Sequence, residues 1–146
     1  MNYVALLALL AGAAIAIQAG MNAQLGVLLK SPLLAAAVTF MVACGCALIV
    51  AAMTARQFPS ATSIYTVPGY LWFSGAISAF GVASFYFLIP RMGVGPMMSF
   101  ALTGQLLIAM LISHYGWFDL PKTPITFSKS MGVLAMIAGI VLINRR

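Results

Sequence analysis

The chain has 146 residues, 64% of them hydrophobic and only 5% charged, with a formal net charge of +6. Its mean hydropathy is +1.11, and Asp119 is its one carboxylate side chain, whereas a soluble domain averages roughly 25% charged residues. A water-soluble globular domain is therefore excluded, and so is a proton-coupled carrier that needs an Asp or Glu inside an apolar segment.

A bilayer core takes about 20 apolar residues per helix, and spans must be helical because lipid offers no partner to an open backbone. The first predicted span, about 3–29, closes at Lys30. A cleaved signal is disfavoured for it, because no positive charge precedes the apolar run and the run is too long. Gln18 and Asn22 lie one turn apart on it, so their amides share a face. An amide in hydrocarbon is costly, so both are expected to face protein or a wet cavity. They either glue the bundle by interhelical hydrogen bonds or line a substrate pathway near mid-membrane.

Ser31-Pro32 reads as an N-cap followed by proline at the first helical position, opening a second span at about 32–54. Cys44 and Cys46 stand two apart on it and point to different faces, which favours small buried thiols over a disulfide or a metal site. A polar connection follows from Arg56 to Thr66. The third span, about 69–89, carries small-xxx-small rows at Ser74-Ser78 and Gly75-Ala79, expected to serve packing within the chain. Trp72, Phe85 and Tyr86 offer flat surfaces to a ligand, with an interfacial anchor as the other reading of Trp72.

Ile-Pro-Arg-Met-Gly-Val-Gly-Pro, from Ile89 to Pro96, predicts a sharp turn. Arg91 there either sits at the headgroups or draws anionic groups to a pore mouth. The fourth span, about 92–114, places Ser99 and Thr103 six and two residues before Gln105, a third amide. His114 ends it at the boundary, an interfacial position more than a proton relay. After a loop from Gly116 to Thr126 comes the shortest span, about 127–143. Gly132 and Gly139, seven apart with Ala135 between, share a face that suits either internal packing or a subunit seam.

The fold class that follows is all-α integral membrane, one domain over 1–146 with five transmembrane helices. Five helices place the termini on opposite sides. Arg56, Lys122 and Lys129 then fall on one side, and Lys30, Arg91, Arg145 and Arg146 on the other. Three against four gives the positive-inside rule almost nothing to act on. Either the orientation is single and weakly biased, or copies insert both ways and pair antiparallel. The second option reproduces, from one short chain, the inverted repeats of many transporters as a ten-helix bundle, and ten helices enclose a cavity that five scarcely can.

One His and one Asp in a single loop make no catalytic constellation, so an enzyme is not expected, nor a metal or a cofactor. The dispersed positive charge reads as anchoring to membrane lipid, and nucleic acid is not indicated.

The order of motifs resembles the bacterial five-helix YdcZ-type branch of the drug/metabolite transporter superfamily. The match is carried by Gln18-x-x-x-Asn22, Trp72-x-Ser74-Gly75-Ala76, Pro90-Arg91-Met92-Gly93, Gly104-Gln105-Leu106 and His114-Tyr115-Gly116. The closing Gly132 to Gly139 segment continues it and is also similar to the dimerising last helix of small multidrug resistance transporters. The resemblance implies dual-topology homodimers, paired heterodimers or fused ten-helix forms in a bacterial inner membrane. Two departures stand out. Where small multidrug resistance proteins hold a first-helix glutamate, this chain has Gln18 and Asn22, so their cation/proton antiport does not carry over. Where the YdcZ branch often has an acid before the His, this chain has Ser113.

The expectation is a small secondary transporter of the inner membrane, moving a polar small solute by alternating access across an antiparallel homodimer. Gln18, Asn22, Trp72, Tyr86, Ser99, Thr103 and Gln105 are its candidate pathway residues. Arg91 is its gate or anion attractor, and Gly132, Ala135 and Gly139 form its dimer seam. The rivals are a dual-topology channel for a small anion and a structural subunit of a transporter pair.

Overall fold

The computed structural model describes residues 2–55 and 59–145 and is all-helical over them. Arg56 and Arg146, two of the basic residues in the topology count, lie outside the described residues. Five helical stretches are long and apolar enough to cross a membrane. They are α1 (Tyr3–Leu28), α2 (Pro32–Thr54), a 3-10 turn (Gly69–Phe73) running into α4 (Ser74–Met92), α5 (Val94–Tyr115) and α6 (Phe127–Asn144), with a short α3 (Ala61–Tyr65) in the first connection. At 18 residues α6 rises about 27 Å, slightly less than a ~30 Å hydrocarbon core.

The α1–α2 turn follows from its local chemistry. Lys30 takes a left-handed φ of 53°. Its N–H donates to the Val27 carbonyl, and the Ser31 N–H donates to that of Gly26 at 3.0 Å, the Schellman pairing that satisfies a helix C-terminus. Ser31 then caps α2, its Oγ accepting from the Leu34 N–H at 3.2 Å, with Pro32 at the first helical position as expected.

The turn after the third span is shorter than the sequence suggested. Neither proline breaks the chain: α4 runs through Pro90 to Met92, and Gly93 alone, at φ 88°, separates it from α5. Pro90 lies within the last turn of α4, where the one backbone bond it removes has little helix after it. Pro96 lies in the first turn of α5, where N–H groups have no intrahelical acceptor in any case. The third span therefore ends at Met92 instead of 89, and the fourth occupies 94–115 instead of 92–114.

The chain divides into two compact units, Met1–Arg91 and Met92–Arg146. In the first, α1 packs along α2, and Ala35, Ala36 and Tyr86 form a small buried cluster with Leu25, Val82, Ala83 and Phe85 against it. Gly26 permits this approach. A Cβ there would stand 3.4 Å from the Pro32 Cα, 3.6 Å from the Ala35 Cβ and 3.8 Å from the Tyr86 Cβ. In the second unit α5 packs along α6, and Met97 and Ile140 are its buried side chains.

The small rows of the third span make only part of the internal packing expected of them: Ala79 is half-buried and lines a cavity with Pro32 and Leu33 of α2. Ser74, Gly75 and Ser78 are exposed, and a Cβ on Gly75 would meet nothing among the described residues. α4 joins its unit about one to two turns later, through Val82, Ala83 and Tyr86, where Gly26 and the alanines of α2 leave room.

Candidate functional site

The unit Met1–Arg91 contains a groove of about 310 Å³ lined by Gln18, Asn22, Leu25, Val38, Thr39, Val42 and Ala43. Its volume falls at the lower end of the range of small-molecule sites. The helical repeat makes it. Gln18, Asn22 and Leu25 follow one another at i, i+4 and i+7 on α1, and Val38-Thr39 and Val42-Ala43 present successive turns of α2. Three polar side chains thus converge on a wall that is otherwise hydrocarbon.

Hydrogen bonds fix part of this set and leave part open. Asn22 Nδ2 donates to the Tyr86 hydroxyl at 2.9 Å. Tyr86 is 2% exposed, held among Ala35, Ala36 and Leu25, so its ring cannot follow Asn22 if that side chain moves. Thr39 Oγ1 donates to the Ala35 carbonyl at 2.8 Å, which occupies its only proton. Gln18 is exposed and makes no side-chain hydrogen bond to any described residue. No charged side chain lines the groove, so recognition there rests on hydrogen bonds and shape.

The pathway residues proposed from sequence are thus only partly brought together. Gln18, Asn22 and Tyr86 belong to this one constellation. Trp72 stands 63% exposed in the 3-10 turn. On α5, Thr103 Oγ1 donates to the Ser99 carbonyl, and Ser99 Oγ donates to that of Pro96 while accepting from Asn144 Nδ2 at 3.1 Å. Gln105 is exposed on the same helix. Arg91 lies back along its own helix. Its Nη1 donates to the Phe87 carbonyl, and the guanidinium sits 3.4 Å from the Phe87 ring centroid, a cation–π arrangement at the helix end where a cation complements the dipole. On α6, a Cβ on Gly132 or Gly139 would meet nothing among the described residues, and Ala135 beside them is exposed.

Two polar residues escaped the sequence reading. Thr39 is the one hydroxyl inside the second span before its end, and that isolation was the available signal. Asn144 looked like a terminal residue, yet it bonds both Ser99 and the Ile140 carbonyl.

The loop after α5 is also built from α5. His114 Nδ1 accepts from the Ile125 N–H at 3.2 Å, and the Thr123 N–H donates to the Ser113 carbonyl. Tyr115 and Trp117 stack at 5.8 Å beyond them, a pair suited to a membrane interface. Cys44 and Cys46 are free, but both are exposed and not buried as expected, and among the described residues no group of His, Cys, Asp or Glu could hold a metal ion.

Residues 3–142 match the family described as "Putative inner membrane exporter, YdcZ". No curated protein and no solved structure matches the chain. Five apolar spans of membrane length, and a match that runs from the start of α1 almost to the end of α6, place this protein in the YdcZ family of inner membrane exporters, as a multi-pass protein of that membrane.

Proposed function

We propose that the protein is a secondary transporter of one functional domain, 1–146, which exports a polar small solute by alternating access across an antiparallel homodimer. The observation that carries this reading is the amide pair of α1, Gln18 and Asn22, set in an open groove of about 310 Å³ on otherwise apolar helices. An amide that faces outward from a span must be covered by protein or water, since hydrocarbon gives it no partner. A second copy supplies that cover. The open small face of α6 at Gly132, Ala135 and Gly139 suits close approach of another helix, and the near balance of basic residues between the two sides permits opposite insertion.

Within this reading Gln18 and Asn22 contact the solute and Tyr86 orients Asn22. Trp72 and Gln105, both exposed, are proposed as further positions on the solute's route, and Ser99 and Thr103, whose hydroxyls are satisfied within their own unit, as supports beside it. Arg91 is assigned to the membrane surface, where it either gates or gathers anionic groups.

The test is export from cells or proteoliposomes of a solute identified by screening. Gln18→Ala combined with Asn22→Ala should lower kcat/KM at least about tenfold, the effect of losing about 1.4 kcal/mol of hydrogen bonding. Unchanged export refutes the site. Cysteines placed next to Arg145 should be labelled from both faces of intact cells, and labelling from one face alone refutes the antiparallel dimer.

A further inference from the structure

From the groove's hydrogen-bonding inventory we infer the chemical class of the solute: an uncharged molecule with a carboxamide-like edge, donor beside acceptor, on a compact apolar body. The inference rests on the reading of Gln18 and Asn22 as solute contacts and goes on to say what they select.

The hydrogen-bonding groups still available in the groove set the class. Gln18 offers two N–H groups and a carbonyl oxygen. Asn22 has given one N–H to Tyr86, so it offers one N–H and its carbonyl. Thr39 has given its proton to Ala35 and presents lone pairs only. Donors and acceptors are thus nearly matched, with Gln18 and Asn22 presenting theirs from α1 and Thr39 its lone pairs from α2. The rest of the lining is aliphatic: Leu25 on α1, and Val38, Val42 and Ala43 on α2.

Each alternative solute fails against this wall. An anion or cation would leave bulk water for a groove without a counter-charge, and unpaired charge is costly to bury. A polyol would press hydroxyls on every face against Leu25, Val38 and Val42, where nothing bonds them. A pure hydrocarbon would leave the Gln18 and Asn22 groups unsatisfied. A flat amide satisfies Gln18 through a two-point donor–acceptor pair and rests its body on the aliphatic lining. Tyr86 acts as a positioning residue. By holding one Asn22 proton it fixes which N–H and which oxygen face the solute.

Three nearly isosteric probes separate these cases: benzamide, benzoate and protonated benzamidine. Each is titrated calorimetrically into the purified full-length protein in lipid nanodiscs. Benzamide should bind, and the two ions should bind at least about tenfold more weakly. Gln18→Leu should weaken benzamide about tenfold, whereas Gln18→Glu, which keeps the shape and adds a charge, should turn the preference to benzamidinium. The variants need only remain folded to be read, and Gln18→Glu yields a gain that misfolding cannot imitate. Equal or tighter binding of either ion to the native protein overturns the assignment. So does benzamide affinity unmoved by Gln18→Leu, or no benzamide binding at its solubility limit. Binding does not require transport. Benzamide that binds as described but never crosses a proteoliposome membrane refutes the transporter reading and upholds the solute class. Gln18-dependent export of a charged solute does the reverse.

Discussion

Polar side chains inside the spans meet different fates in the two units. On α1, Gln18 has no partner among the described residues, and Asn22 gives up one proton to Tyr86 and keeps the rest free. On α5, Ser99 donates to Pro96 and accepts from Asn144, which also bonds Ile140, and Thr103 bonds Ser99 in turn. The first set lies open beside a groove. The second is largely satisfied from within, although the Gln105 amide and the Ser113 hydroxyl make no side-chain hydrogen bond to any described residue. A closed set of hydrogen bonds holds two helices together, whereas an open one in an apolar wall is available to something else. The same residue types therefore do unlike work according to what surrounds them.

The sharpest way to break this contrast is to disturb the packing that keeps the α1 set in place. Gly26→Leu would drive a branched side chain into Pro32, Ala35 and Tyr86. Overpacking of this kind costs about 1–3 kcal/mol, so thermal unfolding in detergent should show a clearly lower Tm together with lost export. If Tm holds, the close approach of α1 to α2 and Tyr86 is not what supports the unit.

Tyr86→Phe is milder and more specific. It removes the hydroxyl that takes an Asn22 proton, a loss of about 0.5–1.5 kcal/mol in stability. It also frees Asn22 to turn, so KM should rise several-fold with kcat nearly retained. A change in stability without a change in KM would leave Tyr86 as glue, and the first unit would then resemble the second.

Asn144→Leu should have the smallest effect. Interhelical hydrogen bonds in membrane proteins average ~0.6 kcal/mol, so a slight fall in Tm with unchanged KM is expected. A raised KM would show that the Ser99–Asn144 pair is more than a clasp between α5 and α6, and the contrast between the units would fail from the other side.

What the sequence made legible depended on local chemistry. Five apolar runs specify five helices because a bilayer admits few other ways to satisfy a backbone. Ser31-Pro32 announces the start of α2 because a cap and a fixed φ act on their immediate neighbours. The shared face of Gln18 and Asn22 follows from the 3.6-residue repeat alone. The Gln18, Asn22 and Gly93 positions also sit in the motifs by which the family could be recognised.

The rest required helices to meet. That Pro90 is carried inside α4 and Gly93 makes the break depends on how much helix remains after each residue. Nothing in the string links Asn22 to Tyr86, 64 positions away, or Ser99 to Asn144, 45 positions away. Thr39 becomes part of a groove only because Gly26 lets α1 lie against α2. The sequence by itself determined solvent, span number and the faces of single helices, which are matters of composition and periodicity. Tertiary structure alone decided which polar groups are satisfied and which stay open, since that depends on distances between helices that no local pattern encodes.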